Sequence, residues 1–282
     1  MKTLTTLKKD LEFNRNLSSL IEALKTIAVT QYRILEHKLK TYEKLIQAIE
    51  NFFEGIDTEE IDHPFLNPPN KALGVVAVTS DSGLLGGLNM QVMAKALDEL
   101  KNTPGKLIVI GERGKSYIGS GEIPYVSFPG IRDEDRYEQA AELRDYIIEK
   151  IAKGSFSCLK VVYPKPISFT VQRVEIVSLL PYAAPNLKSP GETSKPAKEI
   201  IFESKIDTIV EYLIYLSMAQ KFYEIFGLSR LSEFAARYVH LEESLHKLKE
   251  EEGKIRRQYF RVRHEIIDCN MRELFSARLT YL

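Results

Sequence analysis

Proline is missing from both ends of the 282-residue chain: all twelve prolines lie between Pro64 and Pro196. Glycine is nearly missing there too, with only Gly55, Gly227 and Gly253 outside that interval. Proline in a helix removes a hydrogen bond and clashes with the preceding turn, so two arms without it can run as long helices, while the punctuated middle cannot. Cysteine is limited to Cys158 and Cys269, with no CxxC or Cys/His spacing around either. That excludes a disulfide framework and a thiolate metal site, and both read as buried thiols of a reducing compartment. No apolar run approaches a membrane span and the first residues hold no signal-peptide core, so the expectation is a chain without direct membrane insertion. Net charge is zero. It is unevenly spread, since Lys254, Arg256, Arg257, Arg261, Arg263, Arg272 and Arg278 outnumber the acidic residues of the last stretch. A basic helix can meet nucleic acid, anionic lipid or an acidic protein, and charge alone does not choose among them.

Catalytic and metal constellations are equally scarce. His37, His63, His240, His246 and His264 are dispersed, and His240 and His246 lack the i,i+4 spacing of two ligands on one helical face. No metal, cofactor or catalytic residue is assigned, and nothing here reads as an enzyme on its own.

What is present is a period. From Leu231, alternating steps of three and four land on Phe234, Tyr238, Leu241, Leu245, Leu248, Glu252, Ile255, Tyr259, Val262, Ile266 and Cys269, a coiled-coil seam interrupted by one carboxylate. The first arm carries a looser stripe through Leu4, Leu7, Leu11, Leu17, Ile21, Leu24, Ala28, Leu35, Leu39, Tyr42, Ile46 and Ile49, with Asn14 and Gln31 near the seam. Each stripe needs a partner, and the other arm is the nearest candidate. The expected fold is therefore a long antiparallel coiled coil of N- and C-terminal helices, residues 1–60 and 200–282, around a small central Rossmann-like α/β domain at 70–182. The segment 183–199 reads as a linker. At 1.5 Å per residue the longer arm would span roughly 110 to 120 Å. The alternative is a set of shorter helices broken at Gly227 and Gly253.

In the middle, Leu73 to Thr79 and Lys106 to Ile110 read as strands around an amphipathic stretch from Leu88 to Leu100, a β-α-β unit. Further strands are expected at Tyr125 to Phe128, near Cys158 to Tyr163, and at Ser168 to Leu180. A helix over Glu134 to Ile151 has Asp133 placed to cap it. The turn Asp81-Ser82-Gly83-Leu84-Leu85-Gly86-Gly87-Leu88-Asn89 follows the first strand, where an anion site could form. It has neither GxGxxG nor GxxxxGK[ST] spacing, so a tight turn or glycine packing contact is the better reading.

Several of these segments resemble one family, the γ subunit of F-type ATP synthases. Thr79 to Asn89 is similar to the family's SDRGLCGGLN, with Ser82 in place of Arg and Leu85 in place of Cys. Leu231 to Tyr238 resembles ASEHAARM, keeping Ser232, Glu233, Ala235, Ala236 and Arg237. Tyr259 to Ile267 resembles YNRxRQExI, Glu273 to Ala277 resembles EIVSG, and Glu22 to Ala28 resembles KAMKMVA. Departures are His264 for Gln, Asp268 for Thr, Leu24 for Met, Phe260 for Asn and Ala277 for Gly, which suits a divergent branch.

The resemblance implies a central stalk whose coil enters a ring of three α and three β subunits (the F1 ring), with the α/β domain below it against the ε subunit and the membrane c-ring. It implies a non-catalytic rotor that couples ion-driven rotation to ATP synthesis or hydrolysis, without nucleic acid, at the cytoplasmic face of a bacterial or archaeal membrane. Carried over by position, Leu24, Lys25, Glu233, Arg237, Arg263 and His264 are expected β-subunit contacts. Asp81, Gly83, Gly86, Gly87 and Asn89 form the motif turn. The rival reading is a coiled-coil tether with a globular hinge.

Overall fold

The computed structural model describes residues 3–39, 63, 65–66, 68, 72–101, 103, 105–118, 124–182 and 205–280. The expected linker at 183–199 and the stripe positions Tyr42, Ile46 and Ile49 lie outside these. In chain order the elements are α1 (Leu4–Leu39), β1 (Leu73–Val78), α2 (Leu88–Lys101), β2 (Gly105–Ile110), α3 (Glu112–Lys115), β3 (Tyr125–Phe128), α4 (Arg136–Ala152), β4 (Cys158–Pro166), β5 (Gln172–Leu180) and α5 (Ile206–Thr280). The chain divides into two compact units, Met1–Thr30 with Arg237–Leu282, and Gln31–Ala236.

In the second unit the strands form one sheet in the order β3-β2-β1-β4-β5. β3, β2, β1 and β4 are parallel, and β5 closes one edge antiparallel to β4. Parallel neighbours need crossovers, which α2 and α4 supply on opposite faces. β1 is buried along its whole length, and its side chains divide by the two-residue period of a strand. Val76 and Val78 join Ala140, Leu143 and Ile147 of α4 and Ile214, Met218, Phe222 and Phe226 of α5. Leu73, Val75 and Ala77 join Leu88, Val92, Met93 and Ala96 of α2. Burial on both faces is why β1 reads as a continuous Val-rich run.

Helix α4 packs on the first part of α5 through two matched pairs. The Arg136 guanidinium lies 4.3 Å from the Tyr223 ring centre and that of Arg144 lies 3.5 Å from that of Tyr215. Each arginine also donates to the hydroxyl of its tyrosine. An advance of eight on α4 meets a retreat of eight on α5, so the two helices run antiparallel.

In the first unit, α1 and the later part of α5 pair through Arg15 to Glu252 and Lys25 to Glu242. In both pairs the residue numbers add to 267, so residue n of α1 lies opposite residue 267 − n and the pairing is antiparallel. Leu7 and Ala28 of α1 are buried, as are Leu241 and Leu245 of α5. Asn14, also buried, is a polar interruption of the seam.

The expected continuous helix is present: α5 runs for 75 residues through Gly227 and Gly253, and the alternative of shorter helices broken there does not hold. At roughly 1 kcal/mol apiece, two glycines do not break so long a ladder. Several other expectations need correction. The seam extends through Val262, but Ile266 and Cys269 are exposed, because α1 begins at Leu4, opposite residue 263. Cys269 is therefore not a buried thiol, and Cys158 is half-buried. Helix α4 starts at Arg136 with Asp135 at its N-cap position. Asp133 is drawn instead to Arg230, at 3.3 Å. β5 starts at Gln172, not Ser168, since Ser168 and Val171 bond to each other in the hairpin turn. The short helix α3 had no periodic signal, being a single turn.

Candidate functional site: the glycine turn and the paired helices

The turn after β1 sits at the carboxyl ends of the parallel strands, where the strand order reverses between β1 and β4. Open α/β sheets place ligands in that crevice. Here the chain's own helix α5 occupies it. Ser232 Oγ, fully buried, donates to the carbonyl of Pro164 near the end of β4 at 3.0 Å. On the next residue, Glu233 Oε1 accepts from Ser82 Oγ at 2.9 Å. Its Oε2 accepts from Arg230 at 2.6 Å, and Arg230 reaches on to Asp133. Burial works against the Arg230 charge, but Glu233 and Asp133 outweigh it and raise its pKa above the ordinary guanidinium value. Serine, glutamate, arginine and aspartate thus link the turn, α5 and the approach to α4.

Asp81 holds the three strand ends together. Its Oδ1 accepts from the backbone N–H of Glu112, after β2, at 2.8 Å, and from that of Gly130, after β3, at 3.1 Å. A Cβ on Gly130 would lie 2.4 Å from Asp81 Cγ, so any side chain there would have to displace the Asp81 carboxylate from its two backbone donors. Asn89, buried at the start of α2, accepts from the Ser80 N–H at 3.3 Å and donates to Ser80 Oγ at 2.9 Å. Gly86 has φ of 59°, in the left-handed region that glycine enters without penalty. A Cβ on Gly83 would press on the Arg113 guanidinium at 3.3 Å, and one on Gly87 would meet only ordinary contacts. Leu84 also has a positive φ, 65°, and half of its side chain is exposed. The motif turn is a structural joint, with Asp81 and Asn89 as its two pins.

The other candidate residues fall in different surroundings. Leu24 and Lys25 are half-buried on α1. Lys25 donates to Glu242, which raises the lysine pKa and lowers that of the carboxylate, and its ammonium lies 5.6 Å from the Tyr238 ring centre. Arg237 is half-buried. Glu233 is buried, with its carboxylate divided between Ser82 and Arg230. Arg263 and His264 are exposed where α1 runs out. Beyond them Ile266, Ile267, Met271, Leu274 and Phe275 are exposed as well. Among the described residues no group of acidic, histidine or cysteine side chains is arranged to hold a metal, and no helix is long and apolar enough to cross a membrane.

A family model described as ATP synthase matches residues 3–278. The chain belongs to the ATP synthase γ-chain family. It is 26% identical over 290 aligned positions to the ATP synthase gamma chain of Mycoplasmopsis synoviae, covering 98% of each chain. It is 25% identical to that of Clostridium beijerinckii, covering 96% of this chain and 95% of the relative. Its fold matches a chain in a cryo-EM structure of Euglena gracilis mitochondrial ATP synthase with a TM-score of 0.71 at 17% identity, covering 98% and 94% of the two chains. A chain of the Tetrahymena thermophila mitochondrial ATP synthase central stalk and c-ring matches at 0.59 and 18% identity, covering 80% of this chain and 99% of that one.

Ser82 shares Glu233 with Arg230, so the carboxylate keeps a cationic partner from its own helix. The sequence marks Asp133 only as a helix cap, and it marks neither Arg230 nor the backbone partners of Asp81. Their partners lie 31 to 97 residues away, and no local pattern marks them.

Proposed function

We propose that the chain is the non-catalytic rotor of its complex, carrying rotation between a membrane c-ring with the ε subunit and a ring of α and β subunits. The observation that carries this reading is the end of α5. There, Arg257 and Arg261 are exposed on the last turns paired with α1, and Arg263, His264, Ile266, Leu274 and Phe275 are exposed where the pairing with the described part of α1 ends and beyond it. Apolar and cationic groups on one uncovered helix suit an enclosing surface that is apolar in part and acidic in part. Charge complementarity guides such a contact while leaving it weak enough to slide. A shaft changes nucleotide affinity only if it contacts each catalytic subunit differently, so an uncovered and asymmetric helix end is what the task requires.

In this reading Arg263 and His264 meet the β subunit directly, while Leu24, Lys25 and Arg237 lie along the pair of helices beneath. Glu233 acts inside the chain by fixing α5 to the turn. The complex works at the cytoplasmic face of a bacterial or archaeal membrane. The test is native mass spectrometry after mixing with the α and β subunits from the same source. One copy per ring of three α and three β subunits, with ATPase activity dependent on the added chain, is the expected result. Failure of a competent ring to take up the chain would favour a coiled-coil tether. Arg263→Ala should weaken the coupling of ATP hydrolysis to rotation while leaving the thermal midpoint unchanged, and unaltered coupling would remove Arg263 from the contact set.

A further inference from the structure

In the second unit a cavity of about 100 Å³ lies between α1 and the start of α4, lined by Gln31, Ile34, Leu35, Lys38, Asp133 and Arg136. Arg136 is 3% exposed, yet its Nε and Nη1 have no hydrogen-bond partner among the described residues. Only Nη2 is hydrogen-bonded, donating to the Tyr223 hydroxyl at 2.7 Å, while the guanidinium as a whole lies 4.3 Å from the centre of that ring. A buried charged group with two empty donors is costly, and charge-assisted bonds are the strong ones that would offset the cost. The acidic side chains nearby do not supply them. Asp133 is paired with Arg230, and Asp135 with Arg132 at 3.1 Å.

Three sources of positive potential meet here. Arg136 is the first residue of a 17-residue helix, so its guanidinium adds to the positive end of the helix dipole rather than opposing it. Lys38 brings a second cation to the wall, and Gln31 a side-chain amide. Of the remaining lining, Ile34 and Leu35 are apolar and strengthen electrostatics within the cavity, and the Asp133 carboxylate, the one anionic wall group, is offset by its ion pair with Arg230. We propose that this cavity is a site for one oxyanion group, a carboxylate or a phosphate, held between Arg136 and Lys38 with Gln31 as a further donor. A cavity of this volume admits a single such group.

The experiment is calorimetric titration of the full-length chain with sodium phosphate and, separately, sodium acetate, each against sodium chloride at matched ionic strength. Saturable binding of at least one anion is expected, weakened about tenfold in Lys38→Ala, which removes an exposed side chain and leaves the fold intact. Gln31→Ala should weaken it less, and Arg136→Gln should abolish it. Phosphate bound more tightly than acetate identifies a phosphate source. Acetate bound as well or better identifies a carboxylate side chain of a protein partner. Absence of saturable binding by both anions, or wild-type binding by Lys38→Ala, overturns the proposal.

Discussion

Asp81 illustrates how one side chain can set the geometry of three loops. Oδ1 takes both backbone donors and Oδ2 shares the Gly130 N–H at 3.2 Å, so Asp81→Asn keeps one oxygen for both donors but turns its amide nitrogen toward that N–H, and is expected to cost about 1 kcal/mol. Asp81→Ala strands two N–H groups and should cost about 1–3 kcal/mol, and urea unfolding of the two variants checks the difference. Leu84 is the opposite case, an L side chain held at φ 65° with half its surface exposed. The left-handed conformation costs about 1–2 kcal/mol, so Leu84→Gly is expected to raise stability by up to about 1 kcal/mol, visible as a higher thermal midpoint. The turn itself was legible as a motif. Its physics was not, since Asp81 acts on amides 31 and 49 residues downstream. Asp133 misled for a related reason: aspartate before a helix usually caps it, but Arg230 offered a charged partner.

The pairing of α1 with α5 is held mainly by apolar burial, with the ion pairs as minor contributors. Glu242 is about half exposed, so a double-mutant cycle with Lys25→Ala and Glu242→Ala should give a coupling of about 0.2–1 kcal/mol that shrinks in salt. Its pH dependence follows from the two shifts. The lowered Glu242 pKa means its share is present above the unfolded carboxylate value and lost as pH falls through the folded one. The raised Lys25 pKa means its share is present below the unfolded ammonium value and lost as pH rises through the folded one. The coupling should therefore be flat between roughly pH 5 and pH 10 and fall on both sides. Asn14, buried in the seam, is the kind of residue that fixes register at a cost in stability. Asn14→Leu should raise the thermal midpoint of the chain, and an unchanged or lower midpoint would refute this. The heptad made the seam legible in advance but not its end. A period on α5 continues regardless of whether α1 is still opposite, and only the register, fixed by Arg15 and Lys25, places the last paired residue near Arg263.

For the molecule as a whole, the last part of α5 contributes little to folding. Ile266, Leu274 and Phe275 are exposed, so a chain ending at Arg263 should unfold within about 2 °C of the full-length protein. Its affinity for the ring should nevertheless fall, a contrast that scanning calorimetry and native mass spectrometry can read on the same sample. The succession of helices and strands could be anticipated from proline placement, hydrophobic period and β-branched runs, while the strand order could not. Nor could it be anticipated that α5 fills the crevice where an open α/β sheet usually receives a ligand. Ser232 and Glu233 are consecutive on α5, and each is bound to a different strand end. A helix turns about 100° per residue, so two neighbouring side chains tied to separate points leave the helix no freedom to spin in its seat. In engineering language the joint is keyed rather than clamped: a twist applied to the sheet cannot slip past the helix without shearing both pins at once.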